Sequence, residues 1–414
     1  MSRTPILNTF YKYEEQQNMD THCGKSPKWL FLFCAVVVLS IGGLFACRQE
    51  ADNSADPIAS DFTNPIASAD SALSLFAPRT GETVRDIIYN AILNREDSCD
   101  LSGFRLSEAE FSADYDLWQL INENPAISYL ESYSWYTQWG IVIKITMEYK
   151  SIPADYNTQL ERAVTLAIAY IKDQLQENYR QAELVCAISD YIALHCQYAY
   201  KPDGVTPDDD NSLSAYSALV EQRAVCDGYA NAFTLLAQTF GLEVIKVSGI
   251  AEPGSANHAW NMVKVDGIWY HVDVTWNDPT PDTPGYAGHE YLLLSDQAIS
   301  NPRGQSRQYH GSWDTTAPSA PDTRYDDAFW IYENTPISFK TMNYDEWTQM
   351  IAQTSFEEVI VTAVENDTEA NVARFGYNAE QIDKEIRELY PYIGYTYTEN
   401  SNGIVIKISN WLKN

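Results

Sequence analysis

Positive charge is scarce in this 414-residue chain: 27 lysines and arginines stand against 57 aspartates and glutamates, for a formal net charge of −30. That balance excludes nucleic acid, anionic lipid headgroups and anionic wall polymers as electrostatic partners, because each would be repelled. Cysteine is sparse too, seven in all, and neither a disulfide framework nor zinc-ligand spacing can be read from it. Cys186 and Cys196 fall on one predicted helix, about 15 Å apart along its axis and too far to bridge. With Cys99 they read as buried small hydrophobes. No metal or cofactor is implied. Against these shortages, 45% of the residues are hydrophobic, enough for a real core, and the length accommodates two or three domains.

The chemistry gathers between Ala224 and Asp278, where a cysteine, a histidine and a carboxylate follow one another as Cys226, His258 and Asp273. These are the parts of an activated thiol nucleophile, its base and the group that orients the base. Tyr229, Ala230, Phe233, Leu236, Ala237 and Phe240 recur at helical spacing and Gly241 follows as a cap, so Cys226 falls at a helix start. Unpaired N–H groups and the helix dipole favour an anionic sulfur there. Asp227 works against part of that preference, and Gly228 allows another stretch of chain to approach closely.

Downstream, Glu243–Ile250 reads as a buried strand. His258–Val265 and Ile268–Thr275 flank Asp266-Gly267, a two-residue hairpin turn. If Val265 pairs with Ile268, His258 faces Thr275 and Trp260 faces Asp273. All four then share one face, with His258 and Asp273 as diagonal neighbours within side-chain reach.

At these residues the chain resembles the transglutaminase-like family, relatives of the papain-type cysteine peptidases. Three blocks carry the resemblance in the family's order: Tyr216-Ser-Ala-Leu with Val225-Cys226-Asp-Gly-Tyr-Ala, then Asn257-His258-Ala-Trp-Asn, then Trp269-Tyr-His-Val-Asp273-Val-Thr-Trp. It covers Tyr156 to Asp296; Ala224 and Asn257 stand where a glycine is common. The resemblance implies Cys226, His258 and Asp273 as a catalytic triad. The papain-type oxyanion glutamine is replaced by Val220, and the resemblance suggests Tyr216 as a donor beside the Cys226 N–H.

The first 47 residues read as a targeting segment. Lys25 and Lys28 precede the apolar run Trp29–Ala46, which ends Leu44-Phe45-Ala46-Cys47 and resembles a bacterial lipoprotein signal with Cys47 as the lipid-attachment site. The alternative is a single membrane-spanning anchor. Both readings place the globular part on the outer side of a bacterial cytoplasmic membrane. Residues 48–78, rich in Ala, Ser, Asp and Pro, form a tether.

Gly140-Ile-Val-Ile-Lys-Ile145 recurs as Gly403-Ile-Val-Ile-Lys-Ile408. The first copy is preceded by predicted helices at Thr83–Leu93 and Ser107–Glu123 around a strand at Asp100–Phe104. The second is preceded by helices at Tyr344–Thr354 and Asp367–Leu389 around a strand at Glu357–Val364. The expected fold is therefore α+β: a papain/transglutaminase-like cysteine domain at 151–296, flanked by two similar αβαββ modules at 79–150 and 341–414. Tyr156–Glu177 and Tyr179–Gln197 read as helices behind the cysteine helix, and 297–340 as an extended surface segment. His271 reads as a packing or cleft residue, while His195, His289 and His310 read as ordinary.

Two functional classes follow. One is an enzyme acting on peptide or protein amides through a thioester, resolved by water or by an amine. The other is a surface module that holds a peptide in the cleft without turnover.

Overall fold

The computed structural model describes residues 3–5 and 74–409, apart from 205, 209–211, 252–256, 279, 281, 301–309, 314–315, 327, 330–335, 367–368, 373–376, 378, 392 and 401–402. Lys25, Lys28, the run Trp29–Ala46, Cys47 and nearly all of 48–78 lie outside the described residues. No helix among the described residues is long and apolar enough to cross a membrane.

The N-terminal segment is built on a hairpin. Strand β1 (Arg3–Pro5) lies at the edge of a sheet whose order is β1-β3-β4-β2, with β2 (Ser98–Asp100), β3 (Leu130–Gln138) and β4 (Ile141–Tyr149). Helix α1 (Val84–Leu93) precedes β2, capped by Thr83. The single helix expected over Ser107–Glu123 is two: α2 (Glu108–Asp114), opened by a Ser107–Glu110 capping box, and α3 (Leu117–Glu123). Asp116 causes the break, because its side chain accepts from Trp118 N and starts a second helix.

Next come α4 (Tyr156–Asp173) and α5 (Gln181–His195). Cys196 is the C-cap residue of α5 rather than part of the helix. Every residue of α5 from Ala182 to Ala193 is buried, so its polar members need internal partners. Glu183 accepts from the backbone of Arg180 and Tyr344. Asp190 bonds His289 and Ile337 N. Short β5 (Gln197–Tyr198) and β6 (Arg223–Ala224) pair in parallel around α6 (Ala215–Leu219) and deliver the chain to α7 (Cys226–Thr239).

A four-stranded sheet packs against α7, with β7 (Val244–Ala251), β8 (Asn257–Val265), β9 (Ile268–Val272) and β10 (His310–Trp313) in the order β10-β7-β8-β9. The Asp266-Gly267 turn has positive φ at both residues and sets Val265 opposite Ile268 and Asn261 opposite Val272. Thr275 does not extend the strand, because the chain turns at Asp273 into the short helix α8 (Val274–Asn277).

The segment 297–340 is more than a surface wrap. After α9 (Asp296–Ser300), β10 adds an edge strand to β7, and Ala320, Tyr325, Phe329, Ile337 and Phe339 are buried. The reason is an unpaired β7 edge and a run of aromatics that stays apolar despite its polar neighbours.

The C-terminal part holds α10 (Tyr344–Gln353), α11 (Phe356–Asn366), β11 (Glu369–Asn371), α12 (Ala379–Leu389), β12 (Gly394–Asn400) and β13 (Gly403–Ser409), with sheet order β11-β13-β12. The strand expected at Glu357–Val364 is helical. Ser355 and Glu358 cap one another, and Phe356, Val359 and Ile360 bury at helical spacing. The helix expected from Asp367 begins only at Ala379, since Glu369–Asn371 pairs with β13.

Candidate active site

Three strand ends and one helix start converge. Cys226 is the first residue of α7, partly exposed, at the helix end where the opening amides precede the regular intrahelical ladder. That start is fixed by Val225 N donating to Ser212 O (3.0 Å) and by Asn231 Nδ2 donating to Leu213 O (2.8 Å). The 212–214 backbone passes so close that a Cβ on Gly228 would sit 2.6 Å from Ala224 Cβ and 2.7 Å from Ser212 O. Gly228→Ala, which in an ordinary helix would gain about 1 kcal/mol, should here cost about 2–3 kcal/mol. It should also slow any reaction of Cys226, measured by thermal melting together with the Cys226 alkylation rate.

His258 enters on β8 and is buried, its Nε2 donating to Asp273 Oδ2 at 2.6 Å. The other ring nitrogen is left free of Asp273, and Cys226 lies near enough to act on the ring electrostatically. Burial alone would lower the His258 pKa, but the Asp273 carboxylate and Cys226 outweigh it and push it up to about 10. Asp273 is fully buried. Burial would raise its pKa, yet His258 and His310 hold it well below the usual carboxylate range. Its Oδ1 accepts from Trp276 N at 3.2 Å, the cap of α8. The diagonal His–Asp pair expected from the hairpin register is therefore in contact, through the cap rather than through a continued strand.

The expected opposition from Asp227 is met by Lys246, whose Nζ lies 2.9 Å from Asp227 Oδ1. Nothing in local spacing marked that pair, because Lys246 belongs to β7. Tyr216 is held by partners of its own. Its hydroxyl donates to Gln159 Oε1 at 2.9 Å and its ring stacks on Tyr156 at 4.3 Å. It lines a separate cavity of about 510 Å³ with Ser128, Lys150 and Ser214.

The histidines read as ordinary divide. His195 Nδ1 contacts Tyr191 O, and His289 pairs with Asp190 inside the core. His310 is different and corrects that reading: Nε2 donates to Asp273 Oδ2 at 2.9 Å, the same oxygen that binds His258. His271 accepts from Trp260 Nε1 at 3.0 Å and donates to Asp296 Oδ1 at 2.9 Å, which fixes it as a neutral packing residue behind the site. Among the described residues, two groups have ligand-type atoms close enough for a metal ion: Cys186, Asp190 and His289, and His258, Asp273 and His310. In both, imidazole nitrogens already bond a carboxylate as proton donors.

A buried imidazole bonded to a carboxylate, close to a helix-start cysteine, has the parts needed to activate a thiol. Residues 168–274 match the family model of the transglutaminase-like superfamily, and the chain carries a transglutaminase-like domain there. Kyphoscoliosis peptidase of Mus musculus is 30% identical over 143 residues, 31% of this chain and 21% of that protein. The Homo sapiens protein of the same name is 30% identical over 123 residues, 27% of this chain and 18% of its own length. The matches thus span about a fifth of these relatives' own length. A solved crystal structure of a TGase aligns at 19% identity with a TM-score of 0.25, covering 39% of this chain and 48% of that one.

Proposed function

We propose that the chain is a cysteine enzyme that cleaves peptide or side-chain amides through a thioester on Cys226. The observation that carries this reading is the 2.6 Å His258–Asp273 bond, with the helix-start Cys226 near enough to act on the same imidazole. Asp273 orients His258, whose raised pKa lets the imidazole hold the thiol proton as an imidazolium beside the Cys226 sulfur. The Cys226 sulfur attacks the carbonyl carbon. The tetrahedral oxyanion sits at the start of α7, with the Cys226 N–H as donor. Collapse expels the amine, which leaves with the proton that His258 returns. Water, deprotonated by His258, then releases the acid and restores the thiol; a primary amine in its place would give transamidation.

Incubating the full chain with dimethylcasein and a fluorescent primary amine separates these outcomes. New peptide termini or deamidated glutamine support hydrolysis, and covalent amine incorporation supports transfer. Cys226→Ala should abolish either. Neither product, across a panel of peptides and with Cys226 reactive to electrophiles, would leave a binding module.

A further inference from the structure

We infer that His310 is a positioning residue for this site, holding the Asp273 carboxylate against His258 from a strand outside the family-matched region. The inference rests on Cys226 and His258 acting as proposed above.

The geometry is specific. Asp273 Oδ2 accepts two imidazole N–H groups, from His258 at 2.6 Å and from His310 at 2.9 Å. Oδ1 is held by Trp276 N. Each oxygen is therefore anchored, and the carboxylate cannot turn about its own axis without breaking a bond in a fully buried place.

Stability does not explain the choice of histidine. His310 is fully buried, with ring centroids of Trp260 and Trp276 each 4.4 Å away. Its Nδ1 has no partner among the described residues, a loss a leucine or phenylalanine in the same aromatic box would avoid. What the imidazole adds is one donor aimed at Asp273. Burial lowers its pKa, so it donates as a neutral ring. A lysine or arginine there would donate as well, but its full charge would compete with His258 for the carboxylate and weaken the hold on the imidazole. A neutral donor stabilises the anion and leaves the charge pairing to His258.

The position also follows from the fold. His310 pairs with Ala251 at the outgoing end of β7, the end where β8 begins and β9 gives way to Asp273. Strand β10 thus belongs to the site through His310, although the family match stops at residue 274.

The test uses the full chain and the rate of Cys226 alkylation by iodoacetamide at pH 7, located by peptide mapping. His310→Gln keeps an N–H near the Nε2 position; His310→Leu keeps bulk without a donor. Losing a hydrogen bond to a charged group should slow His310→Leu about 10- to 100-fold, whereas His310→Gln should stay within roughly threefold of the parent protein. Should the leucine variant fail to fold, His310→Asn replaces it, its amide one bond too short. Equal rates in all proteins, or equal losses in the glutamine and donor-lacking variants with unchanged melting, would overturn the inference. A second readout is independent of Cys226. In ¹⁵N-histidine spectra at pH 7, His310 should be neutral with its proton on Nε2, and a doubly protonated or Nδ1–H ring would overturn it. If the parent protein shows no preferential alkylation of Cys226, the proposed enzyme fails, and the spectrum alone decides the role of His310.

Discussion

Iodoacetamide added to the folded protein at pH 7 should modify Cys226 and leave Cys99, Cys186 and Cys196 almost untouched. Two independent effects separate them. Cys226 is partly exposed, while Cys99, Cys186 and Cys196 are 8%, 0% and 2% exposed. Burial, reinforced by Glu96, pushes the Cys99 thiol up to about 11, and burial pushes Cys196 up to about 12. Cys186 is raised well above its ordinary value by burial, with Asp190 and Glu183 adding to it. A thiol with a pKa near 11 is only about 10⁻⁴ thiolate at neutral pH, and the thiolate is what reacts. An ordinary thiol is about 3% thiolate at pH 7, so the expected difference in rate is at least about a hundredfold, with His258 and the α7 start adding to it. Peptide mapping after a short pulse reads the result, and labelling in denaturant gives the reference in which all four react. Comparable labelling of the four in the folded state would remove Cys226 as nucleophile.

The second large effect concerns where the C-terminal part can be cut. Deleting 355–414 should leave the melting of the remainder nearly unchanged. Deleting 343–414 should lower it by about 10 °C. Phe356, Val359, Ile360, Val372, Ile382, Ile386 and Ile406 form one buried cluster drawn wholly from residues after 355. Helix α10 packs the other way. Trp347 lies 5.6 Å from Phe329 and 6.1 Å from Phe339, the Tyr344 N–H donates to the buried Glu183, and Arg180 pairs with Asp345. Removing α10 uncovers Phe329 and leaves Glu183 short of a donor, a loss of about 3–5 kcal/mol. At roughly 2–4 °C per kcal/mol that gives the stated drop. Calorimetry of the two truncations checks it; equal melting temperatures would show that α10 belongs with the C-terminal sheet.

Much of the site was written in local pattern. Asp266-Gly267 can adopt the two positive φ values of a tight turn, and from that turn the register of β8 and β9 follows residue by residue. Helical spacing after Cys226 placed it at a helix start. What local pattern could not show were contacts made by distant stretches. Lys246 meets Asp227 across 19 residues, and His310 reaches Asp273 across 37 residues from a Pro-rich segment with no ligand spacing. The error at Glu357–Val364 was of another kind. The mutual cap of Ser355 and Glu358 was present in the sequence, but valine and isoleucine outweighed it by their strand preference.

The late arrival of β10 has a consequence for timing. A chain made from its N-terminus has Cys226, His258 and Asp273 in hand well before residue 310, yet Asp273 then lacks its second imidazole donor. β7 likewise lacks its edge partner until that stretch arrives, and closing a loop of this length is among the slower steps of folding. The full set of contacts on Asp273 is thus completed only when most of the polypeptide exists, so a chain still being made carries Cys226, His258 and Asp273 without the β10 strand that closes around them.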